Sequence, residues 1–196
     1  MSFYSAMKKV FSGVVRFLWN VRVENPENEP TEGAYLVCAN HISAVDPVIL
    51  AACLGIEPKF MAKKELMKIP LVSGLIKSLG AYPIDRAGND AGAILKTINY
   101  LKDGHSVIMF PQGTRYAGVD PATTNVKSGC AMLALRAGAP VLPVFIKTKD
   151  FRSRLFRRTV ICVRPPISPE EIESAGEYKD GARMIFERIL GKDMLL

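Results

Sequence analysis

From Tyr35 onward the chain alternates short apolar runs rich in β-branched residues with longer stretches of helical composition, and no segment repeats. That alternation admits few folds. Short buried strands, each followed by a helix, pack as a largely parallel central sheet flanked by helices, in a single α/β domain. The runs predict strands at 35–39, 59–62, 81–84, 107–110, 141–146 and 160–164, with helices at 47–54, 64–79, 90–102, 128–137 and 179–190. Ligands of such sheets gather at the carboxyl ends of the strands, so polar motifs placed there should converge.

At 196 residues the chain suits one domain with a core that needs neither disulfides nor metal. Residues 31–196 are read as that domain and residues 1–30 as an amphipathic helix and linker. Cys38, Cys53, Cys130 and Cys162 sit mostly inside apolar runs and form no zinc-ligating pattern, so reduced core thiols and no bound metal are expected. Lys and Arg outnumber Asp and Glu by 26 to 19, a formal charge of +7. Such a balance favours an anionic partner, with nucleic acid, anionic lipid and a phosphorylated substrate all open.

The N-terminal stretch narrows the choice. Phe3, Met7, Val10, Phe11, Val14, Phe17 and Leu18 share one helical face, while Lys8, Lys9, Ser12 and Arg16 share the other. A span needs about 20 predominantly apolar residues, and the three cations interrupt this one. No cleavage-site pattern precedes the polar turn 24–30, so a signal peptide is not indicated. The apolar face is suited to a membrane interface, to the domain core, or to both.

One strand end carries chemistry. Asn40-His41-Ile42-Ser43-Ala44-Val45-Asp46 follows the run 34–39, and His41 is one of only two histidines. A strand end holds its backbone rigidly while its side chain faces a cleft, and an imidazole exchanges protons near neutral pH. Asp46 is read in two ways: as a carboxylate orienting His41, or as the N-cap of a helix opening at Pro47. Three further turns are suited to anions. Asp85-Arg86 closes the strand 81–84; Pro111-Gln112-Gly113-Thr114-Arg115 follows the strand 107–110; Lys127 precedes the helix 128–137.

In order and spacing these segments resemble the glycerolipid acyltransferases, whose best-known members are the 1-acylglycerol-3-phosphate acyltransferases. The resemblance covers residues 35–146. The family's Asn-His-x4-Asp is matched by Asn40, His41 and Asp46, and its glycine-led strand ending in Asp-Arg is similar to 80–86. Its Phe-Pro-Glu-Gly-Thr-Arg resembles 110–115 with Gln112 in place of glutamate, and its Val-Pro-Val strand is similar to 142–146.

The resemblance implies acyl transfer from acyl-CoA or acyl-acyl carrier protein to the sn-2 hydroxyl of lysophosphatidic acid, giving phosphatidic acid. His41 and Asp46 would be catalytic. Asn40, Arg86, Gln112, Gly113, Thr114, Arg115 and Lys127 would meet substrate, with Gln112 bearing on acceptor choice. No resident cofactor is implied. The chain lacks a G-x-S-x-G elbow and has no cysteine beside a histidine, so transfer without an acyl-enzyme is the simpler chemistry. A lipid acceptor implies a peripheral place on the cytoplasmic membrane face, with an anionic membrane surface as partner.

Other expectations are plainer. His105 is read as a solvated turn residue. Arg152, Arg154, Arg157 and Arg158, interleaved with Phe151, Leu155 and Phe156, would meet lipid headgroups, an acyl carrier protein or coenzyme A phosphates, or form a solvated loop. No nucleic-acid motif accompanies the charge. Rival functions are transfer to another acceptor on the same fold, lipid binding without catalysis, and hydrolysis.

Overall fold

The computed structural model describes residues 3–63, 66–68, 73, 74, 77, 80–84 and 91–191. A seven-stranded sheet forms its centre. The strands are β1 (Val21–Glu24), β2 (Leu36–Ala39), β3 (Lys59–Lys63), β4 (Ala81–Ile84), β5 (Val107–Met109), β6 (Val141–Lys147) and β7 (Thr159–Val163). The helices are α1 (Phe3–Leu18), α2 (Asp46–Cys53), α3 (Ala91–Lys102), α4 (Gly129–Ala137), α5 (Pro169–Ser174) and α6 (Tyr178–Leu190). Most of the predicted helix 64–79 and the Asp85-Arg86 pair lie outside the described residues.

The strand order is β1-β7-β6-β2-β5-β3-β4. Five neighbours from β6 to β4 run parallel, β7 turns antiparallel to β6, and β1 runs parallel with β7. The largely parallel sheet expected from the sequence is therefore present. Every residue of β2 is buried, as is required of a central strand covered on both faces, and this is why it reads as an unbroken apolar run. Pro83 sits on the edge strand β4, where a missing N–H costs little, whereas Pro143 lies inside β6.

Alternation along the strands divides the core into two layers. Val37, Ala39, Leu142, Val144 and Ile146 face α1 and α2; Leu36, Cys38, Val141 and Phe145 face α3 to α6. Truncating a fully buried residue such as Ile146 to alanine would cost about 2–5 kcal/mol.

Two elements were not anticipated. Residues 21–24, taken as part of a linker, form β1 and pair with β7 from Val21↔Thr159 to Glu24↔Cys162. Helix α5 has an explicit signal in Ser168-Pro169-Glu170-Glu171: Ser168 Oγ accepts from Glu171 N at 3.2 Å, and Ser168 N donates to Glu171 Oε2 at 3.1 Å. Helix α1 packs through buried Val15 and half-buried Phe11, and Arg16 Nη2 donates to Cys53 O at the end of α2 at 2.8 Å. Val14 and Phe17 remain exposed, at 46% and 73%. Among the described residues, no helix is long and apolar enough to cross a membrane.

Candidate active site

The chain leaves the carboxyl end of β2 at Asn40 and turns through 41–45 before α2 begins. His41 Nδ1 lies 2.8 Å from Asp46 Oδ2. The same oxygen accepts from Ile42 N and Ser43 N, each at 2.7 Å. Asp46 is fully buried, so its carboxylate organises the whole turn as well as the imidazole. The expectation that it caps its helix does not hold. Val45 occupies the N-cap position, Asp46 is the first helical residue, and its carboxylate reaches back to 41–43. Asp46 Oδ1 has no partner among the described residues.

His41 is fixed from further directions. Its N–H donates to Gln112 Oε1 at 2.6 Å, and its carbonyl accepts from Tyr116 N at 2.9 Å. The Phe110 ring stacks on the imidazole with centroids 3.9 Å apart and planes 14° apart. With Nδ1–H held by a carboxylate, Nε2 carries the lone pair, which is the tautomer a general base needs. The side chain retains 13% exposure, enough for one edge to meet a ligand.

Two residues expected to touch substrate are placed behind the turn instead. Asn40 is fully buried and grips one residue of β6 through both its backbone groups: its Nδ2 donates to Ile146 O at 3.0 Å and its Oδ1 accepts from Ile146 N at 2.7 Å. Gln112 is 2% exposed. Its Oε1 holds His41 N, while its Nε2 donates to Thr124 Oγ1 at 2.6 Å; that hydroxyl in turn donates to Pro121 O at 2.7 Å. Both ends of each amide are engaged within the protein, and burial keeps the remaining amide N–H out of a ligand's reach. Thr124 was missed in the sequence, because nothing local marks a threonine as the partner of a residue twelve positions away.

A carboxylate at position 112 cannot donate, so Thr124 would have to turn its single proton away from Pro121 O. Gln112→Glu is therefore expected to lower Tm and kcat together, by about 1–3 kcal/mol in stability, and to leave acceptor preference unchanged. A changed ranking in a competition assay between acceptors would show that the side chain reads the substrate.

Gly113, Thr114 and Arg115 of the turn face solvent. Gly113 has φ +69° and its N–H donates to Phe110 O at 2.9 Å, so that amide is committed and not free for an oxyanion. A Cβ there would lie 2.9 Å from Lys127 Cδ and Cε and 3.1 Å from Nζ, so the missing side chain lets Lys127 cross the turn. Lys127 N also donates to Pro111 O at 2.9 Å. Thr114, Arg115 and Lys127 are exposed beside the segment that stacks on His41. Arg86 lies outside the described residues. His105 is exposed on its turn, with its N–H on Tyr100 O at 2.8 Å.

The four cysteines are free and buried. Burial pushes the Cys53 thiol up to about 11, and burial with the neighbouring Glu24 pushes Cys162 up to about 11. Burial also raises Cys38 well above its ordinary value. Thiols in that range stay protonated at neutral pH and are poor nucleophiles. Cys130 is lowered instead, by its hydrogen bond with Cys38, but it is fully buried, so iodoacetamide treatment of the folded chain at pH 7 is expected to leave the thiols largely unmodified, as the intact mass before and after treatment would show. Among the described residues no cluster of His, Cys, Asp or Glu is placed to hold a metal ion.

The fold and this turn define an α/β protein that presents an oriented histidine beside an exposed cationic turn at the carboxyl ends of parallel strands. The chain belongs to the acyltransferase family, whose model matches residues 20–147. It is 33% identical over 143 residues to the 1-acyl-sn-glycerol-3-phosphate acyltransferase of Borreliella burgdorferi, covering 68% of this chain and 56% of that protein. To the protein of the same name from Streptococcus pneumoniae it is 37% identical over 140 residues, covering 67% and 50%. The chain thus spans about half the length of these relatives. The crystal structure of the 1-acyl-sn-glycerophosphate (LPA) acyltransferase PlsC from Thermotoga maritima matches with a TM-score of 0.75 at 28% identity, over 98% of this chain and 79% of that one.

Proposed function

We propose that this protein transfers a fatty acyl group from an acyl thioester to the sn-2 hydroxyl of 1-acylglycerol 3-phosphate, giving phosphatidic acid. The observation that carries this reading is the His41–Asp46 pair, clamped on its Nδ1 side and with one imidazole edge accessible. Relatives named for the same activity support the choice of acceptor.

In the reaction His41 Nε2 takes the hydroxyl proton as the oxygen attacks the thioester carbon. The buried Asp46 carboxylate stabilises the imidazolium that forms. Collapse of the tetrahedral intermediate breaks the C–S bond, and the imidazolium returns its proton to the departing thiolate. Arg115 and Lys127, with Arg86, hold the acceptor phosphate and so fix the hydroxyl against His41, while Gly113 and Thr114 shape the turn. Positioning of this kind supplies about 7–11 kcal/mol of barrier reduction in favourable cases. Asn40 and Gln112 act by holding the histidine turn. The thioester is a co-substrate, and no resident cofactor enters.

The protein works on the cytoplasmic membrane face as a peripheral enzyme. Helix α1 supports this, since it keeps Val14 and Phe17 exposed while anchoring through Val15 and Arg16. An assay of the purified chain crossing acyl-CoA and acyl-acyl carrier protein with several lysolipids and glycerol 3-phosphate tests the reading. Phosphatidic acid from lysophosphatidic acid is the expected product. Transfer to other acceptors but not to lysophosphatidic acid would overturn the acceptor assignment.

A further inference from the structure

Beyond the end of β6 the chain forms a cationic cleft of about 800 Å³ between β6, β7 and the segment 148–158. Lys147, Lys149, Arg152, Arg154, Arg157 and Arg158 line it against only Asp120 and Asp150, leaving four positive charges in excess. Arg154 is neutralised in part by Asp150, Nη2 to Oδ2 at 2.7 Å. Arg152, Arg157 and Arg158 have no acidic partner among the described residues. A cluster of this density repels itself unless an anion joins it.

Two further observations mark a built site rather than a solvated loop. Thr148 lines the cleft at 8% exposure, and its hydroxyl has no hydrogen-bond partner among the described residues. A buried orphan hydroxyl calls for a ligand atom or a strong physical reason to be tolerated. The segment is also held in a costly shape, with Phe151 and Phe156 at φ +52° and +58°. Gly118 N donates to Phe151 O at 2.8 Å and Phe156 N donates to Leu18 O at 2.6 Å, fixing the segment at both points. Gly118, at φ +76°, has no Cβ to displace the Arg152 guanidinium, which would lie 2.5–2.7 Å from one. The Arg152 guanidinium is thus given its place across Gly118.

The cleft adjoins the histidine turn. Asn40 grips Ile146, the residue before Lys147, and Tyr116, which holds His41 O, is two residues from Gly118. We propose that the cleft is a phosphate-binding site for the acyl donor, receiving the 3′-phosphate and diphosphate of coenzyme A. It rests on the acyl-transfer reading and deepens it by naming the donor. A phosphomonoester carries nearly two negative charges at neutral pH, so with the diphosphate the carrier brings about four, matching the excess here. A single lipid phosphate leaves much of that excess unmatched. The volume is that of a site for a nucleotide-sized ligand.

Calorimetric titration of the full chain with coenzyme A and with dephospho-coenzyme A, without acceptor, tests this directly. Coenzyme A should bind about tenfold more tightly than the dephospho form, and Arg157→Gln with Arg158→Gln should erase most of that difference. In turnover the same double variant and Thr148→Val should raise the KM for acyl-CoA without changing the KM for lysophosphatidic acid. Lys102→Gln, at the opposite end of the strands, should do neither. Equal binding of the two coenzymes, or an unchanged donor KM in the double variant, overturns the proposal. So does loss of sedimentation with anionic phosphatidylglycerol vesicles while the donor KM stays intact, which assigns these charges to lipid headgroups. Turnover supported only by acyl-acyl carrier protein also overturns it. A wild type that binds coenzyme A but transfers nothing would instead sink the acyl-transfer reading, so the two failures separate.

Discussion

Replacing His41 with alanine is expected to lower kcat by about 10³-fold, since general-base catalysis by a positioned side chain contributes about 10²–10⁴. The loss should appear with both thioester donors and with little change in Tm. The imidazole is not a core side chain: it is held against Phe110 at the edge of the site and keeps 13% exposure. Its backbone bonds to Gln112 and Tyr116 survive the substitution. Steady-state kinetics with a thermal melt on the same preparation decides the matter. Unchanged turnover in a folded variant would remove His41 from the chemistry. Lost turnover with vesicle binding retained would exclude a protein that only binds lipid.

Asp46→Asn should lower kcat by about 10²-fold or more through loss of charge, as the imidazolium formed in the reaction loses its counter-ion. Geometry should persist. The amide oxygen is forced into the place of Oδ2 by two backbone donors, Ile42 N and Ser43 N, so the ring keeps its tautomer. The amide nitrogen then takes the place of Oδ1, which has no partner among the described residues. Asp46→Ala goes further, because both amides lose their acceptor. That should cost about 2 kcal/mol of stability, or about 4–8 °C in Tm for a domain of this size. Equal melting temperatures for the Asn and Ala variants would show that the carboxylate does not support the turn.

What the sequence made legible is what local chemistry controls. Periodicity located β2 and β6, and the five-residue spacing placed His41 beside Asp46 because both lie on one turn between a strand and a helix. The positioning roles of Asn40 and Gln112 were hidden, since their partners are 106 and 71 residues away. A polar residue inside a strongly matched motif looks like a ligand until its partners are known. Residues 21–24 were too short, and too close to the preceding helix, to announce an edge strand; only pairing with β7 defines them. Helix α5 is different, because its capping box is written in four consecutive residues and needs no distant partner to define it.

The bonds from Asn40 to Ile146 and from His41 to Gln112 also bear on how the molecule matures. Each spans a large fraction of the chain, and contacts of that separation close late, after the loop entropy between them has been met. A partly folded or still emerging chain therefore carries His41 on an unbraced segment, unable to draw a proton in the required direction. The first turnover of a refolding chain is therefore expected to report that β2 and β6 have met.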